Sequence, residues 1–412
     1  MDNQYVETGY VLSAQQRLTW DQTKSSGLGR RSATINIMGN LDGHRLRVAI
    51  EQLAQRHPIL RGRLTQPEGM IYPLQVEDSH NLLSVEDGQG EDQIRPMGAI
   101  RFRLVNDTPH QSRLLIEADA ICADAWSLRL LSESLATFYQ GGVEEDDDEA
   151  PCFYQYAEWS NRLLEEVDPQ ALAFWANRAD YQPMQNLLAR PQMRSGKVEM
   201  ASVPISLPAA RATALHKLAE QYETTPALLL LATWSVLLRR HDGREALSLA
   251  IDYDGREFEE FYDIVGPLAR WMPLRMSLSG EESLPDLLAS IETDFNAMLP
   301  WHDYIAAHEK PIVNPLDFAF SYHQTMEAIF SGQVTFSMEE LQITDDPFRL
   351  HLSCVERTPL IEMALYYDAR WITQDGVVEL GRQFRVLIDH LTSGRETALS
   401  SLGSWDAQAI TD

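Results

Sequence analysis

Two aspartates and a serine stand close together in Glu117-Ala118-Asp119-Ala120-Ile121-Cys122-Ala123-Asp124-Ala125-Trp126-Ser127, with the spacing Asp-x-x-x-x-Asp-x-x-Ser. A carboxylate can carry a proton, polarise a hydroxyl or neutralise a cation, and a serine hydroxyl both donates and accepts. Cys122 lies between the aspartates, but a thiol is a nucleophile only as thiolate. No histidine stands near it in sequence, so a small packed core thiol is expected there.

The elements that must hold these residues can be read on either side. Arg113-Leu114-Leu115-Ile116 has the apolar character of a buried strand. Leu128, Leu131, Leu135 and Phe138 recur at helical spacing, and Ser127 is expected as the N-cap of that helix. The trio therefore falls on a strand–loop–helix corner, a loop positioned by rigid elements on both sides. Taken alone, the segment also fits an ordinary turn, with a capping serine and a hydrogen-bonded carboxylate at a strand end.

The chain has 412 residues, long for one hydrophobic core, and two lobes are expected, 1–180 and 181–412. Segment 181–200, polar and aperiodic, is the expected boundary. An apolar content of 44% suits a globular protein. No basic start followed by an apolar run marks a signal peptide, and the longest apolar run, 227–238, is too short for a bilayer. The three cysteines, Cys122, Cys152 and Cys354, are widely spaced, with neither a disulfide framework nor paired zinc-ligand spacing. A reducing cytoplasm and no bound metal are expected. The net charge of −27 disfavours nucleic acid and anionic lipid surfaces as partners. The acidic run Glu144–Glu149 reads as an exposed loop.

Strand-like and helical patterns mix along both halves, an α+β order. The clearest helix covers 225–241, with Thr225 as cap, Pro226 at its first position and Gly243 past its end. It is apolar on nearly all faces and is expected to be buried.

The motif resembles the signature of heterocyclization domains of nonribosomal peptide synthetases, members of the condensation-domain superfamily. The usual superfamily form is His-His-x-x-x-Asp-Gly; here Asp119-Ala120 and Asp124-Ala125 fill those places. Other segments match superfamily landmarks in the correct order: Leu12-Ser13-Ala14-Gln15-Gln16, Arg56-His57-Pro58-Ile59-Leu60-Arg61, Tyr156-Ala157-Glu158-Trp159, Thr225-Pro226, and Asp254-Gly255-Arg256 followed by Ile264-Val265-Gly266 and Met272-Pro273-Leu274-Arg275. The resemblance covers essentially the whole chain. It implies two chloramphenicol-acetyltransferase-like lobes in a V-shaped pseudo-dimer with a central tunnel. It further implies carrier proteins as partners, whose phosphopantetheine arms bring thioesters to the site, with no cofactor bound by the domain itself. A stand-alone, monomeric member acting in trans is expected.

The resemblance assigns a structural role to Asp124, paired with an arginine, for which Arg61 is the matching candidate. Asp119 is a candidate catalytic or organising carboxylate. Ala120 replaces the histidine that serves ordinary amide formation, and a positioned general base is worth about 10²–10⁴ in rate. Heterocyclization domains carry a second constellation, a threonine and an aspartate on two later strands. Asp317-Phe318-Ala319-Phe320-Ser321-Tyr322 places Ser321 at the threonine, and Phe348-Arg349-Leu350-His351 places His351 at the aspartate. Ser321 and His351 are therefore expected as an acid–base pair, with His323 a third candidate on the same face as Ser321. The leading expectation is an enzyme that joins or cyclises carrier-bound aminoacyl thioesters. The rival is a degenerate platform that holds a carrier protein or recruits a tailoring enzyme. Acyl transfer from coenzyme A to a free small molecule fits least well, because Ala120 supplies no base.

Overall fold

The structure, a computed structural model, describes residues 9–26, 29–77, 85–87, 100–142, 151–178, 198–279, 282–307, 316–343 and 348–393. The acidic run at 144–149 and most of segment 181–200 lie outside the described residues. The chain divides into two compact units. Unit 1 comprises Met1–Val167, Asp254–Arg270 and Thr325–Asp346; unit 2 comprises Asp168–Tyr253, Trp271–Gln324 and Pro347–Asp412. Two segments from the later half of the chain thus complete the first unit, which a single cut near residue 180 does not provide.

Unit 1 begins with β1 (Tyr10–Val11), α1 (Ala14–Ser26), β2 (Arg30–Gly39) and α2 (Gly43–Arg56). Asp42 caps α2, its carboxylate accepting the N–H groups of His44 and Arg45, and Leu46, Ala49, Ile50 and Leu53 form its buried face. After a 3-10 turn, Pro58–Arg61, come β3 (Gly62–Thr65), β4 (Leu74–Glu77), β5 (Val85–Asp87), β6 (Ile100–Thr108), β7 (Gln111–Asp119), α3 (Ala125–Tyr139) and α4 (Phe153–Leu163).

Unit 2 takes up α5 (Pro169–Arg178), β8 (Met200–Ile205), α6 (Ala209–Gln221), α7 (Pro226–Asp242), β9 (Ala246–Tyr253), β10 (Arg270–Ser277), α8 (Leu284–Met298) and β11 (Phe318–Gln324). The strands β12 (Ile329–Ser331) and β13 (Val334–Ile343) return to unit 1, and β14 (Leu350–Arg357), β15 (Leu360–Asp368) and α9 (Gln374–Leu391) finish unit 2.

Unit 1 holds a six-stranded sheet of order β12-β13-β2-β7-β6-β5 and a small sheet β1-β4-β3. Alternation decides which side of the large sheet is packed: Ala33, Ile35 and Ile37 of β2 and Leu114 and Ile116 of β7 are fully buried. Complete burial of each of the larger ones contributes roughly 2 kcal/mol. The pairing of β13 with β2 anchors the returning segment along nearly the full length of both strands.

Unit 2 is a second six-stranded sheet, β10-β9-β11-β14-β15-β8. Strand β11 runs parallel to both β9 and β14. Helix α7 has the expected Thr225 cap, Pro226 and left-handed Gly243, and it buries Trp234 edge-on to Phe384 of α9. One sheet face, with Phe318, Phe320, Leu350, Leu352 and Cys354, joins the core cluster. The opposite positions of the same two strands are Ala319, Ser321, His323, His351 and Ser353, all buried although four of them are polar.

Candidate functional site

The motif corner forms where β7 ends. Asp119 is the last residue of β7 and pairs in register with Arg30 of β2. Its carbonyl accepts the Cys122 N–H at 2.8 Å, and the Ala120 N–H donates to the Gly29 carbonyl at 2.8 Å. Ala120 is buried, so this position presents no polar side chain. Cys122 is buried as well; burial first, and the Asp119 charge second, push its thiol well above the ordinary range. It is the packed thiol expected from the sequence.

The cap of α3 is Asp124, not Ser127. The Asp124 carboxylate reaches the third helical N–H, that of Ser127, at 2.8 Å, so the serine sits inside the first turn. Its hydroxyl accepts the Gly266 N–H at 2.9 Å and shares its proton between Asp124 Oδ1 (2.6 Å) and the Gly266 carbonyl (2.8 Å). Ser127 therefore ties α3 to the segment 254–270 rather than ending the helix.

The arginine that pairs with Asp124 is Arg256, and the expectation of Arg61 is corrected. Arg256 Nη1 donates to Asp124 Oδ2 at 2.8 Å and Nη2 to Oδ1 at 3.2 Å, with both side chains fully buried. The N–H groups of Leu268 and Ala269 each reach Oδ2 at 3.0 Å. Arg61 ends the 3-10 turn beside β4 and instead lies 3.4 Å from Glu77. Burial alone would raise the Asp124 pKa; the Arg256 charge and hydrogen bonds, with those of Ser127, outweigh it and hold the carboxyl below its usual range.

Two glycines make this closure possible. Gly255 has φ +71°, and a Cβ there would strike the Leu268 carbonyl. A Cβ on Gly266 would run into the Phe153 ring.

In unit 2 the sequence expectation that Ser321 and His351 meet agrees with the geometry. Ser321 Oγ and His351 Nε2 are 2.8 Å apart on the adjacent parallel strands β11 and β14. Trp271, Tyr366 and Phe348 surround the imidazole at ring separations of 5.3, 6.1 and 6.2 Å. Burial, and next the His323 charge, lower the His351 pKa to about 3. The ring is therefore neutral at neutral pH, a hydrogen-bond partner of the serine hydroxyl and a weak proton acceptor. His323 points to the same face, and its Nε2 lies 3.7 Å from Asp252 of β9. Asp252 was not singled out from the sequence. The available signal was an aspartate directly after the apolar run Leu249-Ala250-Ile251 of β9. Among the described residues no cluster of three or more histidine, cysteine or carboxylate groups is arranged to hold a metal ion.

The fold and these motifs define a class. Each unit builds a mixed six-stranded sheet with helices, and unit 1 carries the Asp–x–x–x–x–Asp–x–x–Ser corner after a central strand. The condensation-domain model matches residues 6–406, and the chain belongs to that family. Tyrocidine synthase 3 of Brevibacillus parabrevis is 24% identical over 95% of this chain. The chain spans 4% to 12% of the length of the first curated relatives that it matches. The X-domain from teicoplanin biosynthesis superposes with a TM-score of 0.74 at 21% identity, covering 94% of this chain and 96% of that one. The condensation domain of the monacolin K polyketide synthase MokA gives 0.81 at 15% identity, covering 95% and 99%. The teicoplanin X-domain also has a structure in complex with OxyB, to which this chain is 20% identical with a TM-score of 0.72, covering 98% of each. No helix among the described residues is long and apolar enough to cross a membrane.

Proposed function

We propose that this chain is an acyltransferase-type domain of nonribosomal peptide assembly. It acts in trans in the cytoplasm on aminoacyl or peptidyl thioesters carried by separate carrier proteins, and forms an amide, a heterocycle or both without the motif histidine. The phosphopantetheine arm of the carrier supplies the thioester, and the domain itself needs no bound cofactor. The single observation that carries the reading is the buried Ser321–His351 hydrogen bond of 2.8 Å. Burying two polar side chains on the sheet face opposite the core is costly, and their mutual bond only partly offsets that cost. Ser321 is the proposed hydrogen-bonding group toward the reacting thioester, and His351 orients it. Asp119 is the proposed carboxylate of the motif corner, while Asp124, consumed by Arg256 and two backbone N–H groups, is structural.

A second reading has its own support. With Ala120 apolar and Asp124 fully engaged, the corner retains little that moves a proton, which favours a platform that binds a carrier or a tailoring enzyme. The teicoplanin X-domain, seen in complex with OxyB, gives that reading a precedent in fold.

Intact-protein mass spectrometry on loaded donor and acceptor carrier proteins mixed with the chain separates the two. Acyl transfer to the acceptor, with or without loss of water, supports the enzyme. Carriers that co-elute with the chain but keep their masses over hours, with every substrate pair tried, would retire the roles of Asp119, Ser321 and His351.

A further inference from the structure

An aromatic cluster in unit 1 is left partly open to solvent along residues 257–263, whose sequence alternates acidic and aromatic side chains: Glu257-Phe258-Glu259-Glu260-Phe261-Tyr262-Asp263. Phe261 is the inner member. It packs edge-on to Tyr156 at 5.3 Å and against Trp159 at 5.4 Å. Phe258 stands edge-on to Phe261 at 5.5 Å, and Tyr262 leans on Trp126 at 5.8 Å. The outer members stay exposed: Trp159 by 38%, Phe258 by 48% and Tyr262 by 43%. Glu257, Glu259, Glu260 and Asp263 are exposed between and beside them.

The turn is held rigidly in this state. Trp126 Nε1 donates to the Tyr262 carbonyl at 2.9 Å, and Arg256 Nη2 donates to the Ile264 carbonyl at 2.9 Å. The patch is thus fixed to the same arginine that locks Asp124. Three large aromatic side chains are held part-exposed and forgo the burial that ordinarily stabilises such groups. A cluster of this kind, rimmed by charge, has the anatomy of an interaction surface.

The charge decides the occupant. A second copy of the chain would bring the same carboxylates and a further net −27, and nucleic acid or anionic lipid would be repelled in the same way. Carboxylates and aromatic faces both attract guanidinium and ammonium groups. The protein already uses this chemistry on the inner side of the patch, where the Arg129 and Arg256 guanidinium carbons lie 4.4 and 5.4 Å from the Trp126 ring centre. At the rim Asp263 already lies 3.8 Å from a cation of the chain, Arg56.

We propose that Phe258, Tyr262 and Trp159, with Glu259 and Glu260, form a docking surface for a partner protein whose contacting face carries arginine and lysine around an apolar centre. The surface functions independently of any acyl-transfer chemistry in the chain.

The test uses the full chain and a fluorescent 20-residue amphipathic helical peptide with a leucine stripe flanked by arginine and lysine. A control peptide has every basic residue replaced by glutamate. Anisotropy should show saturable binding of the basic peptide that weakens with salt, and no binding of the acidic one. The paired substitution Phe258→Ser, Tyr262→Ser should weaken binding at least tenfold. The paired substitution Glu259→Gln, Glu260→Gln, at exposed positions that the fold does not depend on, should weaken it at least threefold. Circular dichroism confirms that each variant is folded. Unchanged affinity in both variants would assign the binding to the general negative charge and overturn the proposal. Equal binding of the acidic peptide, or a dimer in sedimentation that the variants abolish, would overturn it as well.

Discussion

Asp124 and Arg256, 132 residues apart in the chain, form a two-pronged ion pair of 2.8 and 3.2 Å with both side chains fully buried. The pair joins the motif corner to the segment 254–270, which belongs to unit 1 although it comes from the later half of the sequence. Removing one partner of such a pair leaves an uncompensated buried charge, typically costing about 3–5 kcal/mol. Arg256→Met is expected to lower the denaturation midpoint by an amount of that order. Asp124→Asn keeps the cap but leaves the buried Arg256 cation uncompensated, so it should cost a comparable amount. An Arg256→Met protein as stable as the parent in a urea titration would show that the pair contributes nothing. Asp124 has its pKa depressed in the fold, so its stabilisation is present above the unfolded carboxylate pKa and is lost as pH falls through the folded value. The acid-unfolding midpoint of Arg256→Met should therefore move to higher pH.

Gly266 allows the same closure by having no side chain. Gly266→Ala sets a methyl group against the Phe153 ring, and overpacking of this kind typically costs about 1–3 kcal/mol. Phe153→Leu in the same chain should recover part of that loss. If thermal melts show the single and double variants to be equally destabilised, the clash is not the cause.

Two histidines make stability depend on pH in a predictable direction. His351 is lowered to about 3 by burial and then by the His323 charge; His57 is lowered to about 3 by burial and then by the Arg56 charge. Unfolded histidine titrates near 6.5. Between these values the unfolded chain binds the extra protons, so stability is complete above about pH 6.5 and declines as pH falls toward 3. His351→Gln and His57→Gln should each reduce the slope of stability against pH by about one proton between pH 6 and 4. Histidine Cε1–H resonances in NMR should show His351 unprotonated throughout the range from 8 to 5. Titration of His351 near 6.5 would contradict the burial argument.

Thiol chemistry offers a simple check of the motif loop. Cys122 and Cys354 are buried and burial pushes both thiols up, whereas Cys152 is only half-buried. Iodoacetamide at pH 7.5 should add at most one carbamidomethyl group to the folded chain, located at Cys152 by peptide mapping, and three after unfolding. Rapid labelling of Cys122 in the folded protein would mean that the loop is open and the thiol available.

Much of the site was legible in the sequence because its signals are local. The apolar run Leu114-Leu115-Ile116 marked β7, and the recurrence of Leu128, Leu131 and Leu135 marked α3. The pairing of Ser321 with His351 was reachable because two strand-like segments could be placed against known motifs, and adjacent parallel strands then bring those positions within a hydrogen bond. The cap was misplaced by three residues because aspartate and serine are both strong cap residues, and only the backbone angles at Asp124 distinguish them. Asp252 passed unnoticed because an aspartate at the end of an apolar strand usually faces water.

The sequence by itself determined the α+β class and the family, since periodicity, caps and ordered motifs are properties of neighbouring residues. Tertiary structure alone decided that Arg256 rather than Arg61 meets Asp124, that segments 254–270 and 325–346 complete unit 1, and that Asp252, Ser321, His323 and His351 share one polar sheet face. The physical reason is that a buried charge can be neutralised by any arginine the chain can deliver. Which one arrives depends on where distant strands and turns close, and no local pattern of residues encodes that choice.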